Sequence, residues 1–403
     1  MKDLKLAGWR GPTNSSMDQT TPELFLLGGP LYSLGRVLGL IQQQTNTVWM
    51  GVALGFFAWG VLNLLALLEG SGSRLFSLGA IGVHVRFLVA VPLFFLSETW
   101  AVPQMAEFTR YIVRSGLAPL AALPALESDI RRINRLKDSW LAELLFLLAA
   151  FASPLIESTA ILPGRTASWT VILHSSGGSF TWSDGWYLAF CLPLFRFLIL
   201  RWFWRLGLWF YFLWRVQELK LRLIPIHSDG AAGLGYLETV HATFSPLVLA
   251  ISAVCSAGFA EDISSGAMTF DSLYSSVPMV MLFTAALFMG PLFMFSHKLY
   301  ICRWTGISEY MAMASRYVNA FDVKWVRNEH ATGESQLGTA DLQSLADLTN
   351  SVSVVRNMHV IPFGRRLGLE LAIAVLLPLL PLLFLKYPVG QVAAQLFHIV
   401  SGL

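Results

Sequence analysis

The sequence predicts an all-α integral membrane protein with about seven transmembrane helices and a cytoplasmic helical hairpin. Apolar residues make up 55% of the 403 residues and charged residues only 13%, whereas soluble domains carry about 25% charged residues. Several apolar stretches reach the roughly 20 residues that a helix needs to cross the hydrocarbon core of a bilayer. Lys and Arg are concentrated in alternate loops between these stretches, as the positive-inside rule predicts for a protein that crosses the membrane many times.

Seven stretches meet the length requirement for a span. They lie near 49 to 69, 77 to 97, 140 to 162, 186 to 206, 241 to 260, 277 to 297 and 367 to 387. The segment 24 to 41 is apolar too, but Gly28, Gly29 and Pro30 interrupt it and Arg36 lies within it. These features favour a helix that lies in the membrane interface.

The predicted organisation has four parts. They are a cytoplasmic tail with the interfacial helix (1 to 48), six spans (49 to 297) that include a cytoplasmic helical loop (98 to 139), a cytoplasmic helical hairpin (298 to 366), and a seventh span with a short outer tail (367 to 403). The loop at 98 to 139 is expected to form two short helices, because its prolines interrupt a longer one.

Orientation follows from the distribution of positive charge. Of the 28 Lys and Arg residues, 21 fall in the tail and loops predicted on one side, and only Arg74, Arg165 and Lys386 fall on the other. Positive loops stay in the cytoplasm, so the prediction is a multi-pass inner-membrane protein with its N-terminus in the cytoplasm and its C-terminus outside. The first 23 residues are polar and do not resemble a signal peptide. An outer loop from residue 261 to 276 is expected to hold three acids without basic neighbours, Glu261, Asp262 and Asp271.

The hairpin is predicted from two amphipathic patterns. An apolar stripe with spacings of three and four indicates a helix that continues out of the sixth span. Its members are Ile307, Met311, Ala314, Val318, Phe321 and Trp325. A second helix starts near Thr339, which can cap it, and carries Leu342, Leu345 and Val352 on one face. Packing of the two helices within one chain is favoured over an intersubunit coiled coil, because fewer than three heptads are present.

The segment 186 to 222 is predicted to form one helix that carries Arg196, Arg201 and Arg205 into the membrane. An arginine at the bilayer centre costs roughly 2.5 to 3.5 kcal/mol on insertion scales. At a rise of 1.5 Å per residue, Arg196 lies roughly 15 Å from the outer end, Arg201 roughly 22 Å and Arg205 roughly 28 Å. Arg196 is therefore expected near the midplane, while Arg205 can snorkel to the inner interface.

Partners for these arginines occur on two other spans. The third span carries Glu143 and Glu157 on nearly the same helix face, and the second span carries Arg86. We expect a polar seam with two groups. The outer group is Arg86, Arg196 and Glu157, and the inner group is Arg201, Arg205, Glu143 and Glu370. Four arginines opposite two intramembrane glutamates leave a positive excess that can attract anions, although ion pairs also hold spans together without any transport.

A glycine-rich segment after the fourth span is a candidate gating or anion-binding loop. It contains His227, Asp229, Gly230, Gly233 and Gly235. The glycines would let backbone N–H groups approach an anion, but their spacing is not that of a phosphate-binding motif, and a tight turn is the simpler interpretation.

A metal or proton site is a weaker hypothesis. The side chains of His227, Asp229, His241 and His297 could reach one membrane face, but their spacing is not that of a standard zinc site. Histidines at helix ends are also ordinary caps.

Enzyme motifs with GxSxG, HExxH or P-loop spacing are absent from the sequence. The leading hypothesis is a channel or transporter for a small anion or protons that uses buried Arg and Glu of spans two to four. The alternatives are a membrane scaffold or sensor that binds a cytoplasmic protein through residues 298 to 366, and a membrane-embedded enzyme. The expected partners are the lipid bilayer, a small ion or small molecule and other copies of the chain, with no cofactor and no nucleic acid.

Two strings, HSDGAAGLGYL (227 to 237) and LGTADLQSLADLTNSVSVVRNMHVIPFG (337 to 364), resemble segments of a group of bacterial polytopic membrane proteins. The resemblance covers the C-terminal half of the chain. It implies a bacterial inner-membrane setting and a recurring module made of the glycine-rich turn and the helix from Thr339. It implies no catalytic residue and no substrate.

Overall fold

The computed structural model describes Leu24 and residues 47–70, 72–159, 181–327 and 339–386, with the backbone alone for 73–74 and 153–159. These ranges are helical and contain no strand. The interfacial helix expected at 24 to 41 lies outside them apart from Leu24. In chain order, the longer helices of the described ranges are α1 Val48–Leu68, α2 Leu78–Arg114, α3 Leu123–Lys137, α4 Trp140–Thr159, α5 Trp182–Glu218, α6 Tyr236–Ser264, α7 Phe270–Val326, α8 Ala340–Arg356 and α9 Arg365–Lys386.

Six of these helices are long and apolar enough to cross a membrane, namely α1, α2, α5, α6, α7 and α9. Each overlaps one of the predicted spans to within one residue at the ends or contains it. The remaining predicted span, at 140 to 162, corresponds to α4, a helix of 20 residues of which Trp140–Ala152 is the apolar part with described side chains. The described residues therefore support six spans by length and composition, and a count of seven remains a prediction.

Two helices have bounds that differ from the prediction. Residues 98 to 114 continue α2 without a break, so that only α3 forms a separate helix in the expected loop at 98 to 139. Pro103 lies inside α2, because a long helix packed by neighbours tolerates one missing backbone hydrogen bond. The fourth span begins at Trp182 and ends at Glu218, four residues before the predicted end at 222.

Helix α2 lies at the centre of the bundle. It packs against α1, α5 and α6, while α5 also contacts α3 and α4, and α6 contacts α9. Large aromatic side chains fill the space between these helices and are almost fully buried. They include Phe87, Phe95 and Phe108 of α2, Trp209 and Phe212 of α5, and Phe244 of α6.

One end of the bundle is closed by three connecting segments, 115–119, 219–235 and 357–364, and is called the loop end below. The backbone N–H of Arg222 donates to Leu117 O at 2.8 Å, and that of His359 donates to Gly230 O at 2.8 Å. The Arg215 guanidinium also binds the Asp129 carboxylate of α3 at 3.1 Å. The opposite end is the one at which α2 and α5 begin and α6 ends.

The predicted hairpin is present within one chain. Its two helices are residues 296–326 of α7 and α8, which pack together and are called the arm below. Asp341 at the start of α8 joins them, because it accepts hydrogen bonds from Lys324 Nζ at 2.8 Å and Trp325 Nε1 at 3.0 Å. Part of the predicted stripe stays exposed, with Met311 at 40% and Val318 at 47%.

Candidate functional site

A buried cluster of charged side chains joins α2 to α5. Glu98 of α2 is 1% exposed, and Arg201 and Arg205 of α5 are each 5% exposed. Arg205 binds Glu98 through both ends of its guanidinium, with Nη2 at 2.9 Å from Oε1 and Nη1 at 2.8 Å from Oε2. Arg201 Nη2 lies 3.5 Å from the same Oε1. The fork of two short charge-assisted bonds makes the pair Glu98–Arg205 the rigid part of the cluster.

Helix α4 contributes Glu143 to the other side of Arg201. Arg201 Nε lies 3.9 Å from Glu143 Oε1, so both ion pairs of Arg201 are longer than those of Arg205. The two guanidiniums thus face two carboxylates, and the positive excess inferred from the sequence does not exist within this cluster. The inner group of the predicted seam is otherwise observed, since Arg201, Arg205 and Glu143 come together.

A small cavity of about 10 Å³ adjoins Arg201, which is room for about one water molecule. It is lined by Lys137, Ala142, Glu143, Phe146, Arg201, Trp204 and Arg205. The indole Nε1 of Trp204 is buried and has no hydrogen-bond acceptor among the described residues. A buried N–H without an acceptor is rare in proteins and costs about 1 to 3 kcal/mol.

Glu98 and Trp204 are not among the site residues predicted from the sequence. The predicted loop at 98 to 139 includes Glu98 because this residue directly follows the apolar stretch 77 to 97. Its spacing from buried neighbours at 94, 101, 102, 105 and 108 is that of one helix face. This periodicity is the signal that would have placed Glu98 on the buried side of a continuing helix. Trp204 gave no comparable signal, because tryptophan is common at membrane interfaces.

The outer group of the predicted seam is assembled only in part. Arg86 Nη1 donates to the Tyr187 hydroxyl at 2.7 Å, and its guanidinium lies over the Phe195 ring at 5.8 Å. Arg196 is half-buried and lies five residues before Arg201, which turns it about 140° away from the Glu98 cluster. The side chain of Glu157 lies outside the described residues.

Glu370 was predicted in the inner group, and the structure places it elsewhere. Its carboxylate pairs with Arg366 of the same helix at 2.7 Å, and the Arg366 side chain is 82% exposed. An i,i+4 pair on one helix satisfies both groups locally. Glu370 is therefore a surface residue of α9 and not a partner of Arg201 or Arg205.

The backbone N–H groups of the glycine-rich loop bind the carboxylate of Asp229, which belongs to the same loop. Asp229 Oδ1 accepts hydrogen bonds from the N–H groups of Ala231 at 2.9 Å and Gly233 at 3.1 Å, and Oδ2 accepts from Gly235 at 2.7 Å. Burial raises the pKa of Asp229, but these backbone hydrogen bonds outweigh it and hold the pKa below its usual range. The concave set of N–H groups is therefore occupied, and the expected site for an external anion is not free.

Backbone conformation explains the glycines of this loop. Gly230 has φ +66° and Gly233 has φ +98°, values in the left-handed region that glycine adopts without strain. Gly235 is required because its backbone lies close to the Asp229 side chain. A Cβ at position 235 would lie 2.8 Å from that side chain. The turn predicted at 227 to 237 is observed.

The four candidates for a metal site do not form a group. His241 is fully buried, accepts from Trp209 Nε1 at 3.3 Å and lies 2.6 Å from Phe288 O through Nδ1. Both of its ring nitrogens are thus used in the core. His227 Nδ1 lies 2.9 Å from Asp229 Oδ1. His297 completes no cluster with them, as the described part of the chain holds no set of three or more His, Cys, Asp or Glu placed to bind a metal.

Two acids expected in an outer loop have basic or backbone partners. Glu261 lies within α6, is 6% exposed, and accepts a hydrogen bond from Gly82 N–H at 2.7 Å. Asp271 pairs with Lys386 of α9 at 3.0 Å. The helix α6 extends to Ser264, four residues beyond the predicted end of the span, which carries Glu261 into the bundle.

No protein-family model, curated protein or solved structure matches the chain. Within the chain, the two segments noted for their resemblance to bacterial membrane proteins meet at the loop end, where His359 binds Gly230. A second contact fixes the same region, because a Cβ at Gly306 would lie 2.6 Å from Pro225 and 3.1 Å from Val355.

Proposed function

We propose that the protein is an integral membrane protein, of the bacterial inner membrane with its N-terminus in the cytoplasm, that binds a small anion at Arg201 and passes it along α2, α4 and α5. The observation that carries this proposal is the unused Trp204 N–H beside Arg201, in a cavity that also contacts Lys137. Lys137, Arg201 and Arg205 line this cavity beside Trp204, with Glu143 as the acid. Cationic and N–H donors suit an anion better than a cation.

Glu143 is the group that an anion would displace. Its distance of 3.9 Å from Arg201 makes it the loosest contact in the cluster, while Glu98 stays bound to Arg205 through two short bonds. The cavity of about 10 Å³ is too small for an anion, so entry requires the Glu143 side chain to move. In this mechanism the ion pair closes the pathway when no anion is present.

The test is anion flux into proteoliposomes, with chloride, nitrate and formate as probes. Trp204→Phe keeps the ring and removes the N–H, and we expect flux to fall about tenfold, because a hydrogen bond to a charged group is worth about 1.5 kcal/mol or more. Arg201→Gln is expected to abolish flux. Glu143→Gln removes the competing negative charge and is expected to weaken closure, with higher flux at low anion concentration.

The matched control is Trp214→Phe, a change of the same kind on the same helix at a side chain that is 46% exposed. It is expected to leave flux unchanged. Wild-type flux in Trp204→Phe and Arg201→Gln, in protein that elutes as a folded species, would overturn the proposal.

A second function, a scaffold or sensor that binds a cytoplasmic protein or another copy of the chain, is favoured by the arm. Large apolar side chains remain exposed along it, among them Trp304 at 56% and Val326 at 69%, in addition to Met311 and Val318. Exposed apolar side chains in a row are typical of an interaction surface. Affinity capture with Trp304→Ser and Val318→Ser distinguishes the two functions, because loss of a captured protein with unchanged flux supports the scaffold.

A further inference from the structure

The opposite end of the bundle holds a buried carboxylate that the proposed anion pathway does not use. Glu261 lies one turn before the end of α6 and is 6% exposed. Its Oε1 accepts the Gly82 N–H at 2.7 Å, and its Oε2 is buried without a hydrogen-bond partner among the described residues.

The glycine at position 82 allows the Glu261 carboxylate to lie this close to the backbone. A Cβ at Gly82 would lie 2.6 Å from Glu261 Oε1 and 3.0 Å from Oε2, and atoms that close cannot coexist without a shift. Only glycine at this position lets the carboxylate lie against the first turns of α2. The hydrogen bond from the Gly82 N–H thus holds Oε1 of Glu261 in place and leaves Oε2 without a donor.

An ionised carboxylate in this place would be poorly stabilised. Burying a carboxylate without a cation and with a single donor costs several kcal/mol, and such groups usually neutralise by taking up a proton. Among the described residues, no Lys or Arg forms an ion pair with Glu261.

The charged and titratable groups around Glu261 are already engaged in other contacts. Arg86 is hydrogen-bonded to the Tyr187 hydroxyl. His84 accepts from Trp59 Nε1 at 2.8 Å through Nδ1 and lies 2.7 Å from Leu75 O through Nε2. Both ring nitrogens of His84 therefore have hydrogen-bond partners.

Other charges face the same region from three further helices. Arg196 of α5, together with Arg86 and Glu261, acts electrostatically on Tyr187. Asp262 follows Glu261 in α6, and the pair Lys386–Asp271 joins α9 to α7. Asp184 of α5 is also buried and has no ion pair in the described ranges, but it accepts hydrogen bonds from the Thr181 N–H and hydroxyl. Glu261 differs from it in having one buried oxygen without a hydrogen-bond partner among the described residues.

Local backbone geometry makes this end adaptable. The segments Val85–Ala90 of α2 and Tyr187–Cys191 of α5 are wound as π-helix, and they meet through Arg86 and Tyr187. Proline follows closely in both, at Pro92 and Pro193, and its missing N–H frees a carbonyl one turn earlier. π-Helical turns are frequent at functional sites.

We propose that Glu261 is a proton-binding site, at which the carboxyl takes up and releases a proton at the end of the bundle opposite the Glu98 cluster, and that anion passage is linked to this proton. The linkage rests on the proposed function, whereas the proton site does not. Its place one turn from the end of α6 gives the proton a short route to water.

The experiment is infrared difference spectroscopy of the full-length protein in lipid, titrated between acid and alkaline pH. Wild type is expected to show the C=O stretch of a buried carboxylic acid, which disappears as the group ionises. Glu261→Gln is expected to lack this band, since the amide keeps the Gly82 hydrogen bond but carries no titrating proton. Asp262→Asn, a neighbouring carboxyl removed in the same way, is expected to retain it.

Gly82→Ala provides a second variant that leaves Glu261 in place. The added Cβ forces the carboxyl away, and the frequency or midpoint of the band is expected to shift. Spectra of wild type and Glu261→Gln that coincide over the whole titration would overturn the proton site, because the carboxyl would then be ionised throughout, with its free oxygen bound to water.

Anion flux at different pH values tests the linkage separately. Wild type is expected to show pH-dependent flux, and Glu261→Gln flux that does not change with pH. A band that depends on Glu261 without any anion flux would refute the transport function and keep the proton site. Equal pH dependence of flux in both proteins would refute the linkage.

Discussion

Glu98 and Arg205 form the buried ion pair with the best geometry in the described residues, and their value to the fold depends on the presence of both. Breaking a buried pair by removing one partner costs about 3 to 5 kcal/mol, because the remaining charge stays buried without compensation. Replacing both partners by apolar groups of similar volume is often close to neutral. Comparing the stability of single and double variants of this pair therefore tests whether its buried charges serve stability or function.

We expect Glu98→Gln to lower the free energy of unfolding by about 3 to 5 kcal/mol and the double variant Glu98→Leu with Arg205→Leu to lower it by clearly less. Reversible unfolding in mixed micelles measures both. Arg366→Gln, at a side chain that is 82% exposed, is the control and is expected to have little effect. A double variant as unstable as the single one would contradict this account of the pair.

Asp229 is expected to stabilise the glycine-rich loop in a pH-dependent way. Because its folded-state pKa lies below the usual carboxyl range, its contribution is complete above about pH 4, the ordinary value in an unfolded chain. It is lost as the pH falls through the lower folded-state pKa. Asp229→Asn is expected to lower the free energy of unfolding at neutral pH by about 1 to 3 kcal/mol, because the amide keeps only one acceptor oxygen and places an NH2 group against the remaining backbone donors.

The measurement for this prediction is the stability difference between wild type and Asp229→Asn, followed from pH 7 down to pH 3. The difference should shrink on the acid side. Asp347→Asn, at an exposed carboxyl of α8, serves as the control. A difference that stays constant over this range would show that the charge of Asp229 plays no part.

Some residues of the site could be predicted from the sequence and others could not. Arg201, Arg205 and Glu143 were predicted to meet from their matching depths in different spans, and depth follows directly from residue number in a helix. Glu98 was missed because the hydropathy of a segment decides where a span is drawn, and a carboxylate lowers it. For Arg196 the depth was not sufficient, because its partners also depend on the direction in which its side chain leaves the helix axis.

At the scale of elements, α9 begins at a cap supplied by another helix. The carboxylate of Glu238 in α6 accepts the N–H groups of Gly364 at 2.9 Å and Leu367 at 3.3 Å. A helix N-terminus has unpaired N–H groups and a positive dipole end, so a carboxylate there satisfies both. This contact fixes the register of α9 against α6.

We expect Glu238→Ala to lower stability by about 1 to 2 kcal/mol, the usual value of an N-terminal cap, and to increase amide hydrogen exchange in residues 364 to 370. Hydrogen exchange with mass spectrometry gives both the site and the extent. Glu370→Ala removes a carboxylate from the same helix that binds only Arg366 in the described residues. Equal exchange in the two variants would rule out the cap.

The presence of each helix was easier to predict than the residues at which it begins and ends. All six described spans follow from apolar length, which the bilayer imposes. The ends depend on tertiary partners, as α2 continues past Pro103 and α6 past residue 260 because neighbouring helices bury the added turns. The π-helical turns in α2 and α5 gave no signal beyond the prolines that follow them.

At the scale of the whole molecule, α5 is held at both ends by charges that suit its dipole. At its N-terminus, Glu69 accepts the Trp182 N–H at 2.5 Å and the Ser183 hydroxyl at 2.6 Å. Burial raises the pKa of Glu69, but the hydrogen bonds from Ser183 and Trp182 outweigh it and keep the pKa below its usual value. At its C-terminus, Lys298 Nζ donates to Gln217 O and to Leu219 O.

Lys298 also lies at the root of the arm, so this contact joins the arm to the helix that carries Arg201 and Arg205. Lys298→Met keeps most of the side-chain volume and removes the donors, which leaves the last carbonyls of α5 without that partner. We expect a loss of about 2 kcal/mol in stability, the value of hydrogen bonds from a charged donor. Increased hydrogen exchange in the last turn of α5, at residues 213 to 219, should accompany it.

The matched control is Lys220→Met, a lysine three residues or fewer from the same carbonyls and exposed to solvent. If the arm controls the pathway through α5, Lys298→Met changes anion flux in proteoliposomes and Lys220→Met does not. Equal effects of the two variants on exchange at 213 to 219 would contradict the contact. Changed exchange with unchanged flux would mean that the arm stabilises α5 without acting on the Glu98 cluster, and would favour its role as a binding surface.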